Sequence, residues 1–452
     1  MLTTKRLKRM KRLIQTTDNN GRGEPFDVAL HLKNLQQLSA KPLCDLDLNE
    51  HPYLLIFPSD YKTTGDDIGK QRIFTIEENR LLTGNIMGFI GYRNTQVSIR
   101  SRFSQGDNND YFLHYMLQRV FAINLFDLNF GTDNEGVFDF LIYLLPTFLK
   151  RAIRQGIYKE YQTSNYNDAN VKGRIDIARH IRQNIPFEGK IAYTTREYAT
   201  DNHVTQLIRH TIDYIAGHPL SGNILYNDEE TRDAVSRICL ATPTYNRNEL
   251  RHIINSNFRL VRHPYFDEYI NLQRLCLQIL RHEEIKYGHD DSNQIYGILY
   301  DGAWLWEEYL NTILKDIGFR HPKNKTGEGG KRIFADKIGH EKSMPDFHRS
   351  DMVLDAKYKR YFDWNDILRE DRNQLLAYMY LYETENGGFI VPVENPNIKT
   401  TRPLNGRRGT MSIIGMNVAT DSKNYKEFCA HMAKEEKLLK EKIEQCCEYG
   451  PR

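Results

Sequence analysis

Apolar residues along this chain change their spacing several times. Tyr53-Leu54-Leu55-Ile56-Phe57 is a compact apolar run closed by Pro58, which predicts a short buried strand. Ile86–Tyr92, the polar pair Arg93-Asn94 and the alternating Gln96–Arg100 predict a hairpin. Over 109–126 and 137–157 the period becomes helical: Tyr111, Phe112, Tyr115, Met116, Val120 and Phe121, then Phe138, Leu141, Leu144, Leu145, Phe148 and Leu149. Helical texture continues to about residue 283, clearest at Thr205–Ile215 and Tyr269–Leu280. Gly/Asn/Pro breaks fall near 217–227 and 242–248.

From about 300 to 418 the rhythm changes again. It predicts a helix over Gly302–Ile317, two or three strands within 331–359 and a helix over Trp364–Tyr382. Further strands are expected at Gly388–Val393 and Met411–Val418. That α-β-β-β-α-β order is an α/β unit with a mixed sheet and helices packed on it. Both ends read as solvated helices. Leu7, Met10, Leu13 and Ile14 are helically spaced among Lys5, Arg6, Lys8, Arg9, Lys11 and Arg12. Tyr425–Gln445 carries a thin stripe of Met432, Leu438, Leu439 and Ile443, with Glu436 and Lys440 spaced as an i,i+4 pair.

The 452 residues suggest two to three domains, and 40% hydrophobic residues can build sizeable cores, which excludes a largely disordered chain. A net charge of +3 names no partner, so any nucleic-acid surface must arise from local clustering. No apolar run approaches the ~18–20 residues of a membrane span, and no apolar stretch follows the basic start as in a secretory signal. Cys44, Cys239, Cys276, Cys429, Cys446 and Cys447 form no C-x-x-C pair, which argues against disulfides or structural zinc. A soluble cytoplasmic protein is expected. Gly327-Glu328-Gly329-Gly330-Lys331-Arg332 is glycine-rich but not a phosphate-binding loop. Lys325 stands where the upstream Gly is needed and Arg332 where Ser or Thr is needed.

The chemistry concentrates in Ser343-Met344-Pro345-Asp346-Phe347-His348-Arg349-Ser350-Asp351-Met352-Val353-Leu354-Asp355-Ala356-Lys357-Tyr358-Lys359. His348 to Asp351 is a polar turn, so Asp346 ends one strand and Asp355 sits in the next. Alternation puts Asp355, Lys357 and Lys359 on one face. Such a hairpin brings Asp346 beside Asp355, with Lys357 next to both. Converging carboxylates repel unless a cation lies between them, and hard oxygen ligands suit Mg²⁺, with Mn²⁺ a substitute. The adjacent lysine can activate water or neutralise charge on a phosphoryl group. Metal-assisted phosphodiester hydrolysis is the chemistry this suits.

Pro345-Asp346, Asp355-Ala356-Lys357 and Gln374-Leu375-Leu376-Ala377-Tyr378 together resemble the PD-(D/E)xK nuclease pattern with the Q-x-x-x-Y helix of its RecB-like branch. Within it, Leu354-Asp355-Ala356-Lys357-Tyr358-Lys359 followed by Asp371-Arg372-Asn373-Gln374-Leu375 resembles the McrC-like subunits of McrBC-type modification-dependent restriction systems. Gly88-Phe89-Ile90-Gly91 with Val97–Phe103 resembles that family's N-terminal β segment. Val171-Lys172-Gly173-Arg174-Ile175-Asp176 resembles its R-G-R-I-D element, with Lys172 in place of the first Arg. Asp201-Asn202-His203 sits where the family has a D-x-x-x-N type element, but the Asn comes early and carries no role over.

The resemblance implies an α+β multidomain protein: a β-rich, partner-binding region at 1–108, a helical middle at 109–290, a nuclease domain with a mixed central sheet at 291–420, and a helical tail at 421–452. It implies Asp346, Asp355 and the Ala356 carbonyl as Mg²⁺ ligands, with Lys357 activating water or stabilising charge. Leu305-Trp306-Glu307-Glu308-Tyr309 resembles the acidic first helix, where Glu307 aligns as a supporting ligand and Glu308 is its rival. Gln374 and Tyr378, four apart on one helix face, touch the metal or DNA backbone, or hold that helix to the sheet. Lys359, Arg360, Arg369 and Arg372 make the nuclease edge basic and can track phosphates. His340 and His348 lack metal-ligand spacing and read as surface or turn residues. Arg100, Arg102 and Arg174 could meet the partner or form local ion pairs. The implied partners are double-stranded DNA and an AAA+ GTPase hexamer that binds the GTP and that this chain stimulates. A non-cleaving adaptor of that GTPase and a stand-alone RecB-like repair or defence nuclease are the alternatives.

Overall fold

The computed structural model describes residues 13–46, 50–58, 67–104, 110–121, 134–218, 222–286, 295–322, 329–334, 342–359, 364–394, 399–405 and 408–448. Its principal elements begin with β1 (Leu13–Thr17), α1 (Val28–Leu38), β2 (Leu54–Phe57), β3 (Ile86–Tyr92), β4 (Thr95–Arg100) and α2 (Tyr111–Phe121). Next come α3 (Asn134–Arg154), β5 (Glu160–Asp168), β6 (Arg174–Ile175), α4 (Ile177–Gln183), β7 (Ile191–Ala199), α5 (His203–Ala216), α6 (Glu229–Ala241), α7 (Leu250–Ser256) and α8 (Glu268–Lys286). The last group is β8 (Ile295–Asp301), α9 (Gly302–Leu314), β9 (Phe347–His348), β10 (Met352–Ala356), α10 (Arg369–Tyr382), β11 (Asn386–Val393), β12 (Lys399–Pro403), β13 (Thr410–Asn417) and α11 (Tyr425–Glu448). The chain forms two compact units: residues 1–47, 54–137 and 291–452, and residues 48–53 with 138–290.

The first unit holds two five-stranded sheets. In one the order is β1-β4-β3-β8-β2. The predicted hairpin is β3 and β4, closed by Arg93 in the left-handed region at φ 52°. The predicted N-terminal helix lies mostly on residues 1–12, outside the described ones; its end is corrected, since Leu13 and Ile14 open β1, which runs parallel to β4. A strand partner for Ile14 and Thr16 outweighs a local helical spacing of only a few residues. β8, an unpredicted strand, is buried at every position and lies between β3 and β2. Its fit against β3 demands glycine. Gly88 has φ +125°, and a Cβ there would stand 2.1 Å from the Ile298 carbonyl oxygen.

The other sheet has the order β9-β10-β11-β13-β12. β10, β11 and β13 are parallel, while β9 and β12 run antiparallel at the edges, giving the mixed sheet that was expected. The parallel strands are buried throughout, as strands covered on both faces must be. Val353, Leu375, Tyr378, Met379, Phe389 and Val391 share one core between α10 and the sheet. The expected solvated C-terminal helix is corrected too. α11 packs on β13, burying Phe428, Met432, Leu439, Ile443 and Cys446. Glu436 does not pair with Lys440. It accepts from the hydroxyls of Tyr115 (2.9 Å) and Tyr309 (3.1 Å) and from Arg119 (3.1 Å), while Lys440 meets Asp316 at 2.8 Å.

The second unit is helical around α5, whose Val204, Leu207, Ile208, Ile212 and Ile215 are buried. Asn202 caps this helix, accepting from the Val204 and Thr205 amides in a capping box, so it has a structural task there. The middle expected to be helical also holds a three-stranded sheet, β5-β7-β6. In β5, Glu-Tyr-Gln-Thr-Ser-Asn-Tyr-Asn-Asp has no apolar alternation to announce a strand. Among the described residues, no helix is long and apolar enough to cross a membrane.

Candidate functional site

β9 and β10 pair antiparallel, with Phe347 opposite Leu354 and His348 opposite Val353. Continuing that register by one residue brings Asp346 opposite Asp355. The Asp346 carboxylate accepts the Ala356 amide at 2.6 Å, so its side chain folds over the end of β10. His321 steadies the same residue: its ring stacks on Phe347, and Nδ1 donates to the Asp346 carbonyl at 2.6 Å.

Asp355 is 2% exposed. Its Oδ2 is enclosed without a well-angled donor, although the Lys357 ammonium lies 2.9 Å away. Burial raises the Asp355 carboxyl above the ordinary carboxylate range. Lys357 draws it back, and the Asp371 charge raises it further. Lys357 shows the reverse balance: burial alone would push the ammonium down, but Asp355, Asp371 and Asp346 hold it well above an ordinary lysine. It therefore stays a cation.

α10 supplies the other wall. Lys357 Nζ lies 3.3 Å from Asp371 Oδ1 and donates to Gln374 Oε1 at 3.3 Å. Gln374 in turn donates to the Tyr378 hydroxyl at 2.7 Å. The Tyr378 hydroxyl is pushed up to about 12 by burial and the charges of Asp355 and Asp346. Lys359 Nζ lies 3.1 Å from Asp371 Oδ2. Asp346, Asp355, Ala356, Lys357, Gln374 and Tyr378 are thus together. Asp371, which spacing alone did not single out, is the added member. Its signal was available: it lies three and seven residues before Gln374 and Tyr378, on the same helix face.

On α9, Glu307 and Glu308 are both half-buried. Glu308 lies 3.9 Å from the same His321 that holds Asp346. Trp306 is buried and donates to the Ile390 carbonyl at 3.4 Å, which fixes the helix against β11. Among the basic residues named from sequence, Lys359 pairs with Asp371, Arg369 is exposed, and Arg372 reaches the Trp364 carbonyl. Arg360 and His340 lie outside the described residues. His348 is corrected from a surface or turn residue to a half-buried strand residue against the Tyr382 ring, because β9 pairs it with β10. Of the two readings open for Arg102, the structure shows the local ion pair: its side chain is buried against Asp18.

Among the described residues, no group of three or more His, Cys, Asp or Glu is arranged to hold a metal. The pair Asp346 and Asp355 still fits a hard divalent ion, which commonly takes one or two carboxylates and fills its shell with water and phosphate. The enclosed Asp355 oxygen without an angled donor is the atom such an ion would satisfy.

Fold and site define a mixed α/β protein in which a buried carboxylate of β10 pairs with a lysine just past that strand's end. Residues 81–392 match the family described as McrBC 5-methylcytosine restriction system component, and the chain belongs to that family. This bears out the McrC-like resemblance read from the sequence. The chain is also similar to a solved chain from the half-complex of the tetradecameric assembly of Thermococcus gammatolerans McrB AAA+ hexamers with bound McrC. That match has 15% identity, 93% coverage of this chain, 99% of that one, and a TM-score of 0.47. A chain of the Thermococcus gammatolerans McrBC complex matches at 14% identity, with 67% and 87% coverage and a TM-score of 0.32. No curated protein matches.

Proposed function

We propose that this chain is the nuclease subunit of an McrBC-type restriction complex, with residues 291–420 as a PD-(D/E)xK domain that hydrolyses phosphodiester bonds of double-stranded DNA with Mg²⁺. The observation that carries this reading is the convergence of Asp346, Asp355 and Lys357, with Lys357 Nζ 2.9 Å from Asp355. Family membership supplies the restriction context.

Asp346, Asp355 and the Ala356 carbonyl would hold the ion, with Glu308 or Glu307 supporting through water. Bound there, Mg²⁺ supplies Lewis-acid polarisation of the phosphate and lowers the pKa of an attacking water. Lys357, kept protonated by its acidic neighbours, offers a cation to charge developing on the phosphate rather than a base for its water. Gln374 and Tyr378 hold that ammonium in place. Arg369 and Arg372 meet the DNA backbone at the rim.

The partner is an AAA+ GTPase hexamer like the McrB of the similar assembly. It binds the GTP, because Lys325 and Arg332 spoil the glycine-rich stretch of this chain as a phosphate loop. The test is nicking of methylated and unmethylated plasmid with Mg²⁺, with and without the partner GTPase and GTP. Cleavage only in the full mixture supports the proposal. Cleavage by the chain alone points to a stand-alone nuclease, and GTPase stimulation without cleavage to an adaptor.

A further inference from the structure

Lys357 sits in a competition. Its Nζ has Asp355 at 2.9 Å, Asp371 at 3.3 Å and Gln374 at 3.3 Å. With Asp355 alone, the ammonium would close onto the carboxylate and each would neutralise the other. A cation at Asp355 would then have to expel Lys357, and the lysine would need another anion to stay in the site.

Asp371 has the properties of that second anchor. It is 8% exposed and lies in the first turn of α10, where the helix dipole favours a negative charge. Its two oxygens are divided, Oδ1 toward Lys357 and Oδ2 toward Lys359 at 3.1 Å. Asp371, Gln374 and Tyr378 fall at i, i+3 and i+7, so one helix face presents all three toward the lysine. A plain helix-end charge would need neither the burial nor a second lysine facing its other oxygen.

We propose that Asp371 is the positioning residue that holds Lys357 in its working place when Asp355 is engaged by a cation. This rests on the nuclease reading given above. Asp371 acts through Lys357 and touches neither the ion nor the phosphate.

The test uses the assembled complex with Mg²⁺, GTP and plasmid, reading kcat and the KM for DNA separately. Asp371→Asn should lower kcat at least tenfold with KM within about twofold, and Asp371→Glu should recover at least half of the wild-type kcat. Glu370→Gln, at the adjacent exposed acid, should leave both unchanged. Asp371→Asn cutting at the wild-type rate overturns the inference. So does a loss equal in Asp371→Asn and Asp371→Glu, or one matched by Glu370→Gln, which would make the effect a general charge at the helix end. If Asp371→Asn melts early, the recovery in Asp371→Glu decides alone. A wild type that never cuts, or an Asp355→Ala variant that still does, overturns the nuclease reading itself.

Discussion

The Arg102 guanidinium donates to the Tyr358 backbone carbonyl at 3.1 Å, one residue beyond Lys357, while its ion pair with Asp18 is buried. The guanidinium also lies 4.7 Å above the Tyr358 ring, and the Tyr358 hydroxyl meets Ser101 at 2.9 Å. The end of β4 and the strand bearing Asp355 therefore share one buried polar knot. Removing one partner of a buried ion pair strands the other charge. Arg102→Ala should accordingly cost about 3–5 kcal/mol of unfolding free energy, measured in denaturant. A loss under about 1 kcal/mol would show Asp18 finding water instead.

Glycine at position 88 lets β3 approach β8. Gly88→Ala should destabilise by about 3 kcal/mol or more, since the new Cβ would meet backbone oxygen at 2.1 Å. Gly156→Ala provides the contrast. Its φ is also positive, at +94°, but nothing lies within 4 Å, so only strain of about 1 kcal/mol is expected. Melting temperatures of the two variants check the difference.

The parallel core of the C-terminal sheet was legible because β10, β11 and β13 are short apolar runs set off by turns. The convergence of Asp346 with Asp355 was legible because a polar turn separates them by nine positions. What escaped has physical reasons. β8 is apolar at nearly every position and runs straight into α9, so periodicity does not separate strand from helix. β5 is polar on both faces and needs its partner β7 to define it. Glu436 looked like an intrahelical charge because its partners, Tyr115 and Tyr309, are distant in sequence. Asp371 escaped because its value lies in lysines 12 and 14 positions away, which only the packing of α10 on β10 brings near.

Asp110 gives a pH signature. Burial pushes its carboxyl up to about 6, against amide hydrogen bonds from Ser101 and Leu113 that lower it. A carboxyl raised on folding contributes stability below its unfolded value of 3.8, and that contribution is lost as pH rises through about 6. The loss between pH 4 and 6 is about 2 kcal/mol, out of about 3 kcal/mol for the whole titration. Unfolding of Asp110→Asn against wild type across that window should show the additional downward slope in wild type alone. Parallel slopes would contradict it.

Tyr378→Phe separates the two roles open to the Gln374–Tyr378 pair. Without the hydroxyl, Gln374 loses its acceptor and its hold on Lys357. We expect kcat to fall about five- to tenfold, with stability changed by about 1 kcal/mol or less. A clear fall in melting temperature with unchanged kcat would instead make the pair a tie between helix and sheet.

The central claim is tested most directly by comparing Asp355→Ala with wild type in plasmid cleavage, with Mg²⁺, the partner GTPase and GTP, while recording GTP hydrolysis in the same tubes. The account predicts that the variant stimulates GTP hydrolysis as wild type does and leaves the DNA intact. Equal cleavage by the variant would contradict it.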